Sequence, residues 1–156
     1  MAKYACVRTD NMSGTVLGKN LVSAKFDGEI ENGNIVVIGG LLEGEREVRE
    51  ATTPAADSEL RNLALVASEE VVKEKGKNTL AEFRNEEGDI IRCYRLVSGD
   101  IFSVTAEALA GTAEVDSIVE AQASTKMKVV ATATEGSTVI GKVIAIEGEW
   151  IVIEVA

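Results

Sequence analysis

Apolar residues in this chain come in short runs bounded by Gly, Asn, Asp and Ser, and no run keeps a helical period for long, which predicts strands rather than helices. Leu21 to Phe26 alternates in part and Asp27-Gly28 turns. Asn32-Gly33 then predicts a type I′ turn, since both residues tolerate positive φ, leading into a buried strand over Ile35 to Ile38 that Gly39-Gly40 ends. Gly44 to Glu50 is charged enough for a solvated edge strand running up to Thr52-Thr53-Pro54. For Leu63-Ala64-Leu65-Val66-Ala67 two readings compete. One is a helix over Glu59 to Lys75, capped by Asp57 or Ser58. The other, favoured by the unbroken apolar run, is a strand followed by a turn or short helix at Ser68-Glu69-Glu70.

Farther along, turns at Glu86 to Asp89 and Ser98 to Asp100 bracket a strand over Ile90 to Leu96, and Ile101 to Thr105 is the next. Ala106 to Ala110 predicts a short helix stopped by Gly111. Strands are then expected over Ser117 to Ala121, Met127 to Thr132, Thr138 to Ile146 and Trp150 to Val155. The last two are the most apolar, and Glu147-Gly148-Glu149 between them predicts an antiparallel hairpin at the centre of a sheet. The expected fold is therefore mainly β: a single antiparallel β-barrel or sandwich domain with one or two short helices and an N-terminal arm. The arm covers residues 1–20 and the β-rich domain residues 21–156. Within the arm, Tyr4 to Thr9 is strand-forming, while Asp10 to Gly14 and Gly18 to Asn20 break the pattern and isolate Val16-Leu17. Such a segment can add a strand to a sheet edge, in its own chain or a partner's; an ordinary first strand with a loop fits the same residues.

Composition sharpens this picture. Hydrophobic residues make up 46% of the 156 positions but aromatics only 4%, so one core must be packed from many small and β-branched side chains, a composition suited to sheets. Asp and Glu outnumber Lys and Arg by 26 to 16, so no clustered positive charge offers the footprint that direct nucleic-acid binding needs. Met1 leads into Ala2-Lys3-Tyr4-Ala5 with no apolar leader or span, so synthesis in a cytoplasm and no membrane association are expected. Cys6 and Cys93 are expected as reduced core residues.

Catalytic chemistry finds few footholds. The chain has no histidine to activate a Ser or Cys nucleophile, and no Ser-x-x-Lys or Gly-x-Ser-x-Gly. Asp27-Gly28-Glu29-Ile30-Glu31-Asn32-Gly33 starts like an EF-hand loop, yet Asn32 and Ile38 stand where Gly and Glu are required. Acidic pairs for glycoside hydrolysis lack an aromatic-rich cleft, and Gly39-Gly40 and Gly44 lack the phosphate-loop ending. Lys126-Met127-Lys128 is similar to the modified-lysine motif of biotin carriers, but with the order reversed and at the start of a strand. No catalytic residue, metal or cofactor is expected.

Two blocks carry a resemblance. Ile30 to Val36 leading to Gly40-Leu41-Leu42-Glu43-Gly44-Glu45-Arg46-Glu47, and Tyr94-Arg95-Leu96 leading to Gly99 through Thr105, resemble head-associated structural proteins of tailed bacteriophages that infect Gram-positive bacteria. Val7 to Gly14 has a similar character. The resemblance implies a capsid decoration protein on the virion exterior: a non-enzymatic β-rich module that binds and reinforces the shell of major capsid protein, with a homotrimer as the assembly known decoration proteins adopt. The acidic charge suits an outer surface. Tyr4, Val7, Val16 and Leu17 are the expected capsid-binding residues, through strand addition with side chains filling pockets. Alternatives are a cytoplasmic β-barrel ligand-binding or carrier module, and a tail or fibre component of the virion.

Overall fold

The computed structural model describes residues 4–15, 18–68 and 84–156. Among these residues twelve strands are defined: β1 (Val7–Asn11), β2 (Leu21–Phe26), β3 (Ile35–Leu41), β4 (Val48–Thr52), β5 (Leu63–Val66), β6 (Ile90–Arg95), β7 (Ile101–Val104), β8 (Leu109–Ala110), β9 (Ile118–Gln122), β10 (Ser124–Val130), β11 (Val139–Glu147) and β12 (Trp150–Val155). The fold is mainly β, as the apolar runs predict. Five strands close a barrel in the order β2-β4-β3-β5-β6, and the other seven form a curled sheet ordered β1-β7-β12-β11-β9-β10-β8. Pairing is antiparallel except for β2 with β4 and β8 with β10. Helical structure among the described residues is limited to 3-10 turns of three residues.

The strand β5 shows how the two sheets are joined. All four of its residues are buried, and they divide by parity. Ala64 and Val66 pack inside the barrel with Val22, Ala24, Val36, Ile38, Ile91 and Cys93. Leu63 and Leu65 point the other way, into a core shared with Phe102, Val104, Met127, Ile140 and Ile153 of the seven-stranded sheet. A strand buried on both faces reads as a continuous apolar run, and this is why the strand reading of residues 63–67 is the correct one. The turn or short helix expected at Ser68-Glu69-Glu70 lies largely outside the described residues.

Other expectations are corrected. Asn32-Gly33 is not a type I′ hairpin turn, because only Gly33 takes positive φ. Asn32 is instead buried: its Oδ1 accepts from the Ser68 N–H (3.0 Å) and from Asn85 Nδ2 (3.1 Å), and its Nδ2 donates to the Ser68 carbonyl (2.9 Å). Gly33 is required by close approach as well as by its φ of 89°, since a Cβ there would meet Ala108 and Val104 at 3.2 Å. The strand β3 runs on through Gly39-Gly40 to Leu41, which pairs with Arg49. The charged segment at Val48–Thr52 is no edge, being paired to β2 on one side and β3 on the other. In place of the helix expected over residues 106–110, Ala106–Ala108 is a single 3-10 turn and Leu109–Ala110 pairs with Met127 and Lys128. Burial of Leu109 and the free edge of β10 outweigh a weak local helix preference.

The terminal hairpin forms as predicted, and β11 is the fourth of seven strands, at the sheet centre. Gly141 sits where an added Cβ would overlap the backbone carbonyl of Glu154 on the neighbouring strand. Both cysteines lie buried; burial in the barrel pushes the Cys93 thiol up to about 12.

Candidate binding surfaces

Residues 4–15 are bound to the body of the protein along their length. The Tyr4 ring lies 5.1 Å from the Arg84 guanidinium, which pairs with Glu29 at 2.6 Å. The Ala5 N–H donates to the Glu31 carboxylate, whose pKa burial nevertheless holds above its ordinary value against the pull of Lys126. Cys6 donates its N–H to Thr105 Oγ1 (3.0 Å) and accepts from the Thr105 N–H (3.1 Å), leading into the pairing of β1 with β7. Ser103 Oγ donates to Asp10, and Arg8 stacks 4.3 Å from the centre of the Trp150 ring. Beyond the strand, Asp100 accepts from the Ser13 N–H (3.0 Å), Ser13 Oγ (2.7 Å) and the Val97 N–H (3.1 Å).

The sequence-predicted contact residues therefore separate. Val7 is a core residue of its own chain, packed with Phe102 and Val104, so its side chain is not available to fill a partner's pocket. The cause is the pairing of Val7 with Val104, which turns Val7 onto the buried face of the sheet. Tyr4 is half-buried and keeps part of its ring at the surface. Val16 and Leu17 lie outside the described residues. What this region does expose is backbone: β1 is the first strand of its sheet and, among the described residues, is paired on one side only, so alternate N–H and C=O groups face outward. Arg8 and Asp10 are exposed along it and guard it against indiscriminate pairing.

A second surface lies at one end of the barrel and was not legible as a unit in the sequence. Lys19, Leu21, Val22, Ser23, Leu41, Arg46, Glu47, Arg49 and Arg95 line a cleft of about 390 Å³. Arg49 pairs with Ala24, and Arg95 pairs with Ala64, both of which point into the barrel, so the two arginines continue the inward-facing rows to the barrel mouth. Arg49 Nη1 donates to the Gly39 carbonyl at 3.1 Å, fixing that guanidinium in place. The available signal was parity: Arg95 stands two residues after Cys93 and four after Ile91, on the same strand face.

Chemistry remains sparse elsewhere. Among the described residues no three His, Cys, Asp or Glu side chains gather as a metal site. Ser103 is fully buried and its partner is a carboxylate rather than a histidine, so substrate cannot reach its hydroxyl. Lys126-Met127-Lys128 lies within β10 and not at a hairpin tip: Met127 is buried, and Lys128 lies 3.8 Å from the buried Glu120 carboxylate. No known protein family, curated protein or solved structure matches this chain.

Proposed function

We propose that this chain is a non-enzymatic structural protein of a tailed phage that binds the outer surface of the capsid and stabilises the shell of major capsid protein. The observation that carries most weight is the open outer edge of β1, held in a fixed conformation by the Cys6–Thr105, Asp10–Ser103 and Ser13–Asp100 contacts. A strand edge fixed in advance loses little conformational entropy when a partner strand pairs with it, so main-chain hydrogen bonds can supply affinity without deep pockets. Tyr4 flanks that edge, and Arg8 and Asp10 favour a partner strand of complementary charge. Stabilisation then follows from mass action, because a ligand that bridges neighbouring subunits only in the assembled shell lowers the free energy of that state.

Co-sedimentation of the purified protein with expanded, undecorated phage capsids tests the reading, with denatured capsid protein as control. Saturable binding at a fixed ratio to capsid subunits is expected, together with a higher temperature of shell rupture. Binding to isolated tails and not to heads would move the assignment to a tail or fibre component. Failure to bind either, or a covalent mass increase on Lys126 or Lys128 after native expression, would replace it with the carrier reading.

A further inference from the structure

The mouth of the five-stranded barrel concentrates positive charge in an otherwise acidic chain. It gathers Lys19, Arg46, Arg49 and Arg95 around one carboxylate, Glu47, and so takes four of the chain's 16 basic residues and one of its 26 acidic ones. None of these four cations forms an ion pair with a described residue. Unpaired like charges converging on one cleft repel each other, and an anionic ligand relieves that repulsion. Two leucines in the same lining are unusually open, Leu21 at 37% and Leu41 at 51% exposure, so the mouth offers apolar surface beside the guanidinium groups.

We propose that this mouth binds an acidic peptide segment of a partner protein in which carboxylate and apolar side chains alternate. Arg49 and Arg95 present planar donor forks suited to carboxylates, and Lys19 and Arg46 at the exposed rim contribute charge. The leucines decide between ligand classes: an inorganic anion makes no use of them, whereas an amphipathic segment covers them and pairs with the cations together. A nucleic acid fits less well, because among the described residues no aromatic side chain lines the cleft for base stacking and the chain as a whole is strongly acidic. The mouth shares no residue with β1, so variants in its lining test this site without altering the strand edge proposed for capsid binding.

The test is fluorescence anisotropy of the intact protein with a labelled ten-residue peptide of alternating Glu and Leu. A Lys-Leu peptide, inorganic phosphate and a single-stranded oligonucleotide serve as comparison probes. Saturable binding of the Glu-Leu peptide is expected, weakening as salt rises from about 50 to about 300 mM. Arg46→Gln and Lys19→Gln are each expected to weaken it by roughly three- to tenfold, and Leu41→Ser to weaken it as well, with unchanged thermal midpoints showing that the variants remain folded. Absence of saturable binding, or affinity untouched by Arg46→Gln, overturns the proposal. Full displacement of the peptide by phosphate at millimolar concentration, or indifference to Leu41→Ser, makes the mouth a small-anion site and overturns the peptide assignment. Tighter binding of the oligonucleotide overturns it in favour of nucleic acid.

Discussion

Leu65→Ala is expected to destabilise both sheets at once, although Leu65 belongs to the barrel. Its side chain is fully buried and points away from the barrel axis, into the core it shares with Phe102, Val104, Ile140 and Ile153. Truncation removes the transfer free energy of three carbons, about 2.4 kcal/mol at roughly 0.8 per carbon, and leaves a cavity that a core packed from both sides cannot fully close. The expected loss is about 3 to 4 kcal/mol. For a chain of this length that corresponds to a fall in Tm of about 6 to 16 °C. Trp150, the single tryptophan, lies on β12 in the seven-stranded sheet, so its fluorescence reports the sheet that does not contain the mutation. Denaturant titrations followed by Trp150 fluorescence and by far-UV circular dichroism are expected to shift together to a lower midpoint. A Trp150 transition that stays at the wild-type midpoint while circular dichroism moves would show two independently unfolding units and refute the shared-core argument.

Four further outcomes are expected. Gly141→Ala forces a Cβ against the Glu154 carbonyl on the adjacent strand and is expected to cost about 2 kcal/mol or more, read as a lower urea midpoint at constant slope. Asp100→Ala leaves the Ser13 and Val97 N–H groups without their acceptor and is expected to cost about 2 to 3 kcal/mol, with faster amide exchange at Ser13; unchanged exchange there would contradict the anchoring role. Because burial raises the Cys93 pKa to about 12, the folded protein resists losing that proton while the unfolded chain ionises near 9. The Cys93 contribution is therefore complete below pH 9 and lost as pH rises toward 12; in a Cys6→Ser background, alkylation of Cys93 is expected to follow global unfolding. The raised Glu31 pKa means that its charged form is disfavoured in the fold, so Glu31→Gln is expected to gain stability at pH 7 relative to wild type, with the gain vanishing in acid where Glu31 is already neutral, as thermal melts at the two pH values would show.

Much of the fold was legible because a half-buried strand writes its own alternation. Leu21–Phe26 and Trp150–Val155 have the same limits in the structure as in the sequence pattern, and the central hairpin was fixed by a short loop around Gly148. Errors arose where a distant partner outweighed the local signal. Leu109–Ala110 left its helical preference to pair with β10, and Asn32 gave up a hairpin turn to join a buried network with Ser68 and Asn85. Of the expected contact residues, Val7 was an apolar side chain at the start of a strand, and its sequence neighbours carry no sign that Val104 would turn it inward.

By itself the sequence determined the element type, the approximate position of most strands and the scarcity of catalytic side chains, because periodicity, turn residues and composition are local properties. Tertiary structure alone decided that five strands would close into a barrel and seven would curl beside it, since strand order depends on pairings between residues far apart in the chain. It also decided that Lys19, Arg46, Arg49 and Arg95 would meet. In the sequence Arg46 and Arg49 stand among glutamates and read as a solvated edge, while Lys19 and Arg95 lie far from them along the chain; closure of the barrel brings β2, β4 and β6 side by side and concentrates their charge at one mouth.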